Sequence, residues 1–519
     1  MLSSCNRDAK ENSINPSSIL TVNLGNDPSS LDPRLARDTA SFNVLKMLFE
    51  GLTRLDKQGV PIPALAEEIH ISEDLKTYTF RLRQSYWSDG TPLTANDFEY
   101  TWKSLLQPDF PSEYAHAFYV IKNAESVKEG KLSVENVGIE SINDQTLQIH
   151  LEEPTPYFLH LTSLPVFFPI NQKQDLLDSS WQKKTDTKVI SNGPFILDRW
   201  ESRNEMILSK NSHYYGTADV KIHAIRLVML DEATELNMFE SGELSWAGSP
   251  LSTLPADSIA FLKEKGKVCV APALGTHFFR LNVEKPPFNH VKMRKAFSYA
   301  IDRESIVDHI LQAGQVPAMG FLPNSIALQK LPYFKDHDLT LAKQNFQEAL
   351  DEMGIDKEQL PIITLSYTMN DRHHKLAQAI QQQWKKAFDI DVHLENMEGK
   401  AFLQKRKTED YQIANGSWIG DYSDPINFLE IFKKRENSTN NTAWENLRYR
   451  ELLDLAQKEG NSEKRKAYLH KAEKILMSEM PIIPIFYYTY AYLKQEDLQG
   501  AHLSDLGHLD FKDAFFAPR

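Results

Sequence analysis

Around residue 418 the chain reads SWIGDYSDP, in which Trp418 stands three residues before a carboxylate, Asp421, and Tyr422 follows directly. A carboxylate set among aromatic rings can hold a cation, but the same Asp, followed by Ser423-Asp424-Pro425, can equally open a surface turn. His373 and His374 are the only adjacent histidines. Neighbours on a helix point about a quarter-turn apart, which disfavours a joint metal site and favours solvated or capping roles. The sequence holds no G-x-S-x-G, H-E-x-x-H, G-x-x-x-x-G-K-[ST] or C-x-x-C. Nucleophilic and metal hydrolysis therefore have no recognisable carrier, although the many Asp and Glu leave a carboxylate pair open.

The elements that must position residue 418 alternate clearly. Residues 362–368 read as a strand, and Leu376, Ile380, Trp384 and Phe388 mark a helix at i, i+4 spacing. Residues 390–394 read as a strand, 400–407 as a helix and 411–418 as a further strand. A βαβαβ run of this kind places ligands beyond the carboxyl ends of its strands, where residues 418–421 fall. Farther along, Tyr468, Leu469, Ala472, Ile475 and Leu476 predict a helix stopped by Pro481, and 482–492 a long aromatic strand. Upstream, Met293, Ala296, Phe297, Ala300 and Ile301, then Val307, Ile310 and Leu311, predict one helix that ends before Gly314. Residues 19–24 predict the first strand, 42–49 an apolar helical face, and Leu147, Ile149 and Leu151 another strand.

The most fully specified stretch is 78–106, YTFRLRQSYWSDGTPLTANDFEYTWKSLL. Tyr78, Phe80 and Leu82 alternate with polar residues, as in a strand buried on one face. After the Asp89-Gly90 turn, Thr94 and Asp97 form a helix-capping pair, and Phe98, Trp102 and Leu105 repeat on one face behind it.

At 519 residues with 41% hydrophobic and 25% charged side chains, the chain has the composition of a globular protein of about three or four domains. A formal charge of −13 disfavours nucleic acid as a partner. The longest apolar runs, 157–170 and 480–493, are broken by prolines and fall short of the roughly 18 residues that cross a bilayer. Two cysteines, Cys5 and Cys269, are too few for a disulfide scaffold, and Cys269 in the alternating KVCVAPA predicts a buried, inert thiol.

The combination YTFRLR, YWSDGTPLTANDF and YTW resembles the signature of the periplasmic oligopeptide-binding proteins, the solute receptors of peptide ABC importers. Leu31-Asp32-Pro33, FEGLTRLD (49–56), SNGPFIL (191–197), PFNHVKMRKAFSYAIDRE (287–304) and SWIGDYSDPINFL (417–429) resemble further motifs of that family, in its order. From about residue 20 onward the likeness covers nearly the whole chain. It implies an α/β, bilobal periplasmic-binding-protein fold of type II, in the large peptide-receptor cluster, with an extra inserted domain. Lobe I is expected from 19–50 plus 173–272 plus 491–519, the insertion from 51–172 and lobe III from 273–490, with 1–18 a polar tether.

The resemblance also implies the site. Asp421 would take the ammonium end of a bound peptide, with Ser417 and Thr39, near the first strand, supplying backbone hydrogen bonds. Tyr114 and Trp418 would line side-chain pockets, and Trp246, after a strand and turn, would either line the cleft or pack in the core. Arg406 and His373 match two cationic positions that meet the peptide's carboxylate; Ser298 and Asn415 stand where others are cationic, and Gly399 where a cleft tryptophan is common. Some relatives carry a disulfide at positions matching Gly275 and Ile419, neither of which is cysteine here.

The implied protein is a monomeric, non-enzymatic receptor without cofactor or metal, which binds short peptides and hands them to the permease and ATPase of an ABC importer. Alternatives on the same fold are a receptor for murein tripeptide, a nickel chelate or a sugar oligomer; an enzyme or chaperone using the same cleft is a further class. Leu2-Ser3-Ser4-Cys5 resembles the end of a lipoprotein signal, implying a periplasmic or cell-envelope location with Cys5 as lipid anchor. No apolar segment precedes it in this sequence, so the reading implies a longer precursor.

Overall fold

A computed structural model describes residues 19–183 and 188–518. Its backbone is an eleven-stranded mixed sheet. One half carries Phe195–Glu201, Glu205–Lys210, Ala224–Val228, Ile19–Asn23 and Trp246–Gly248; the other carries Ile413–Ile419, Ile363–Thr368 and Val392–Met397. Between them run two 13-residue strands, Cys269–Leu281 and Ile482–Lys494, antiparallel to each other.

These two strands are the link between the halves. Cys269 to Pro272 pair with Tyr492 to Thr489, and pairing resumes only at Thr276 with Tyr487. The three residues 273–275 are out of register with the partner strand, an irregularity of the kind that bends a strand and lets paired segments swivel. Trp246–Gly248 joins Ile482–Lys494 on one side of this irregularity, through Tyr492, Leu493 and Lys494. Ile413–Ile419 joins Cys269–Leu281 on the other side.

The βαβαβ run forms as its periodicity predicts. Strands Ile363–Thr368 and Val392–Met397 are parallel, helix Asp371–Phe388 connects them, and helix Gly399–Lys407 leads into Ile413–Ile419, parallel to Ile363–Thr368. Leu376, Ile380, Trp384 and Phe388 are buried, and the Trp384 indole donates to the Phe297 carbonyl at 2.8 Å. Gly399 starts its helix beside open space.

A separate four-stranded antiparallel sheet runs in the order Ala66–Ile71, Thr77–Leu82, Thr146–His150, Ile139–Asn143. Helix Ala95–Leu105 packs on it through Phe98, Trp102 and Leu105, all fully buried. The Asp97 carboxylate accepts from the Thr94 amide at 2.9 Å, closing the capping box read from the sequence.

Two expectations are corrected, and Trp246, left open between core and cleft, packs in the core. The predicted helix through 293–311 is two: Val291–Tyr299 ends at Ala300, and Asp302 caps Arg303–Ile306, its carboxylate accepting from the Ser305 amide at 2.9 Å, before a π-helical turn at Val307–Leu311. A side chain that satisfies free amides starts a new helix even where the apolar stripe continues. Trp246 is a core residue, 2% exposed, its ring stacked on Tyr492 with centroids 4.0 Å apart and its indole bonded to the Ser249 carbonyl. Cys269 lies on a strand but is only half-buried. Among the described residues no helix is long and apolar enough to cross a membrane.

Candidate functional site

Strand Ile413–Ile419 pairs along its whole length with Cys269–Leu281, from Leu281↔Ile413 to Gly275↔Ile419. On its other side it pairs with Ile363–Thr368 only at Ile413 and Ala414. Residues 415–419 therefore present one unpaired row of backbone donors and acceptors, the arrangement to which an extended chain can add as a further strand. Asn415, Ser417 and Trp418 lie on this segment, and Asp421 follows its end.

Asp421 is exposed as a residue while its carboxyl sits beside Tyr114, His116 and Asn427, and it has no salt-bridge partner among the described residues. Its backbone amide donates to Asn427 Oδ1 at 3.2 Å, and the Trp418 indole donates to the same oxygen at 3.0 Å, so one amide side chain fixes both groups. Loss of hydration among the surrounding groups holds the Asp421 carboxyl above the usual carboxylate range, with His116 and Asn427 drawing it partly back. Asp421 in turn raises the Tyr114 phenol, after desolvation the largest contributor. Tyr114 packs edge-on against Phe42 at 5.4 Å and stacks with His116 at 5.7 Å. Behind Asp421 the chain is held firmly: Arg465 grips the Asp424 carboxylate with two bonds of 2.7 and 2.8 Å, and Tyr422 stacks on Tyr157 at 4.8 Å.

Alternation divides the other residues between the two faces of the sheet. Asn415 and Ser417 share a face with their register partners Phe279 and His277. His277 is buried, stacked on Phe486 at 4.7 Å and bonded through Nδ1 to the Tyr488 hydroxyl at 3.2 Å. Its ring centroid lies 5.9 Å from that of His373, which is half-buried and bonded to Thr368 Oγ1 at 2.8 Å. Burial, reinforced by the neighbouring His373, Arg372 and Arg280 charges, lowers the His277 imidazole to about 3, so it is neutral at physiological pH. On the opposite face Ala414, Gly416 and Trp418 pair with Arg280, Phe278 and Thr276. There Arg406, on helix Gly399–Lys407, is half-buried without a carboxylate partner among the described residues, and desolvation lowers its guanidinium.

The structure thus brings Tyr114, Trp418 and Asp421 together, and places Asn415, Ser417 and His373 along the same strand edge with Arg406 beneath it. Thr39 begins helix Thr39–Leu48 behind the cap Asp38, exposed and one turn from Phe42, which packs on Tyr114. One predicted position lies elsewhere. Ser298 is fully buried and accepts from Arg303 Nη2 at 3.1 Å, so it is a core residue and no substitute for a cleft cation. His277, Arg280 and Asn427 were not singled out from the sequence; a charged or polar residue inside the apolar run from Ala273 to Leu281 was the available signal. Cys5 lies outside the described residues.

The profile of the bacterial extracellular solute-binding proteins, family 5, matches residues 60–440. The oligopeptide-binding protein OppA of Bacillus subtilis is 41% identical over 96% of this chain and 92% of its own length. The unliganded open form of the periplasmic murein tripeptide binding protein MppA superposes with a TM-score of 0.88, at 28% identity, over 97% of this chain and 98% of that one. Haemophilus influenzae OppA in complex with the peptide RPPGFSPFR, also 28% identical and covering 97% and 99%, gives 0.71. At equal identity the better of these two superpositions is on the unliganded open form.

Proposed function

The chain belongs to family 5 of the bacterial extracellular solute-binding proteins, and from that premise we propose that it receives short peptides and delivers them to an ABC importer. The observation that carries this reading is the unpaired edge at 415–419 running into Asp421, a carboxylate with no salt-bridge partner among the described residues. A peptide backbone added to that edge uses main-chain hydrogen bonds, which do not depend on sequence, while its ammonium meets Asp421. Nothing in this scheme breaks a bond, and the protein is a receptor and not an enzyme.

The domain division expected from the sequence fits this mechanism. With one lobe from 273–490 and the other from 19–50, 173–272 and 491–519, the out-of-register residues 273–275 lie at the junction and serve as the hinge. Closure about it encloses the ligand. Delivery to a membrane permease with its ATPase, and anchoring through a lipidated Cys5, complete the proposal. Native protein should then partition into detergent with Cys5 at its mature N-terminus, since several acyl chains hold a protein firmly to a bilayer. Recovery in the aqueous phase with an unmodified mass would sink the anchor.

A murein tripeptide is a second candidate ligand, resting on the neutral Asn415 and on Arg406. The 0.88 superposition on MppA supports an open state more than a shared ligand, and the 41% identity to an oligopeptide-binding protein favours ordinary peptides. Mass spectrometry of material released from denatured, natively purified protein distinguishes the two. Calorimetry with an alanine tetrapeptide and its Nα-acetylated form tests the site: the free amine should bind and the acetylated form should bind poorly. Equal affinities would remove Asp421 from the proposal.

A further inference from the structure

Arg280 is 2% exposed, yet its guanidinium has almost no acceptors. Nη2 reaches the Thr439 carbonyl at 3.5 Å, while Nε and Nη1 find no hydrogen-bond partner among the described residues. Among the described residues no carboxylate offsets its charge: the groups that act on it are Arg406, which repels it, and the Tyr411 phenol, whose hydroxyl already donates to the Asn441 carbonyl. Burial and Arg406 together depress it to about 10, so it remains charged at neutral pH. A buried guanidinium without a counter-charge is costly, and a second one beside it adds to the cost.

Its position is as informative as its charge. The guanidinium lies over the Phe278 ring at 4.7 Å and directly against the backbone of Gly416. A Cβ on residue 416 would stand 2.0 Å from Arg280 Nη1, so glycine at 416 is what admits the guanidinium. Gly416 belongs to the unpaired edge 415–419. A peptide added there sends alternate side chains to the face of Gly416 and Trp418, and the cationic groups on that face are Arg280, the buried inner one, and Arg406, the half-buried outer one.

Resting on the peptide-binding reading, we infer that Arg280 and Arg406 form a subsite for an acidic side chain of the bound peptide. An arriving carboxylate meets the fork of Arg406 and stands in the field of both guanidiniums, supplying the counter-charge that the protein itself withholds. The receptor therefore discriminates among peptides by charge at one register, although its backbone contacts are indifferent to sequence.

The test is calorimetry on the full chain with alanine pentapeptides carrying Glu or Gln at each position in turn. For the wild type, Glu should bind about 10-fold or more tighter than Gln at one register, and the ratio should fall with added salt. In Arg406→Gln, a change at a half-buried helix position outside the core, and in Arg280→Gln, that ratio should approach one; Arg280→Lys should keep part of it. A purely structural Arg280 would lower thermal stability in Arg280→Gln while leaving the Glu/Gln ratio intact, which overturns the assignment. A ratio of one at every register in the wild type overturns the subsite alone, as does a chloride-dependent melting temperature without any Glu preference, which would mark a resident inorganic anion. Failure of every pentapeptide, the all-alanine one included, would overturn the peptide-binding reading itself and the subsite with it.

Discussion

Gly275 and Ile419 face each other across the antiparallel ladder, and Ile419 Cδ1 lies 2.5 Å from where a Cβ on residue 275 would stand. The isoleucine fills the space that the glycine leaves, at the point where the open edge begins its turn toward Asp421. A covalent clamp at this pair, which the resemblance implies for some relatives, is thus replaced by packing.

Two substitutions at this pair should act in opposite directions. Gly275→Ala forces Ile419 aside and should destabilise by about 1–3 kcal/mol, the usual cost of overpacking. Gly275→Cys with Ile419→Cys, in a Cys5→Ser, Cys269→Ser background, removes the contact with Ile419, leaves Tyr488 to yield to the new Cβ, and brings two thiols opposite each other at the Cα spacing a disulfide accepts. On oxidation the double variant should lose two mass units and melt higher, with a gain of up to about 2–4 kcal/mol. Free thiols persisting under oxidising conditions would show that the ladder register is wrong.

Trp246 tests the boundary between core and cleft. Its ring is stacked on Tyr492 and its indole is bonded within its own turn, so Trp246→Ala should cost about 3–5 kcal/mol of stability. Peptide affinity below the new melting transition should remain within about 2-fold of wild type. A large loss of affinity without loss of stability would return Trp246 to the cleft.

The unpaired edge makes a prediction about the ligand. In a β-ladder, successive backbone N–H groups of a strand point to alternate sides, so only every second one meets residues 415–419. Methylating the backbone nitrogens of a bound pentapeptide one at a time should weaken binding at alternate positions, by about 1 kcal/mol or more for each lost bond. Equal losses at all positions, or none, would argue against strand addition.

What the sequence displayed depended on the range of the forces involved. The run from Ile363 to Ile419 was readable because each helix and strand is decided by its own spacing and caps, and the carboxyl end at Trp418 follows from that order alone. The helix break at Ala300 was hidden because periodicity counts only apolar positions, and Asp302 acts through the amide of Ser305. The fate of Trp246 was decided by Tyr492, a distant residue that no local pattern connects to it. Arg280 was invisible as a site for the same reason: its meaning lies in Gly416, placed against it by strand register, and in the absence of a carboxylate from either neighbour strand.

Asp421 couples function to pH with a definite sign. Its carboxyl is raised in the free protein, chiefly by desolvation, so the ionised form is disfavoured until an ammonium arrives. Binding a free-amine peptide lowers that pKa again and releases a proton wherever Asp421 is partly protonated. Affinity should therefore be complete above the raised pKa and fall as pH drops through it, while Nα-acetylated peptides bind weakly with little dependence on this group. The stability of the ligand-free protein runs the other way: a carboxyl raised above its unfolded value stabilises the fold at low pH, and that contribution is lost as pH rises through the folded pKa. Asp421→Asn should consequently raise the melting temperature of the free protein at neutral pH while weakening free-amine peptides by about 2–5 kcal/mol, the penalty for removing one partner of a charge pair that closure buries. Calorimetric affinities across the acidic range, with melting curves for both proteins, check the two signs together. Retention of the acid-induced loss of affinity in Asp421→Asn would assign it to another group and sink the role of Asp421.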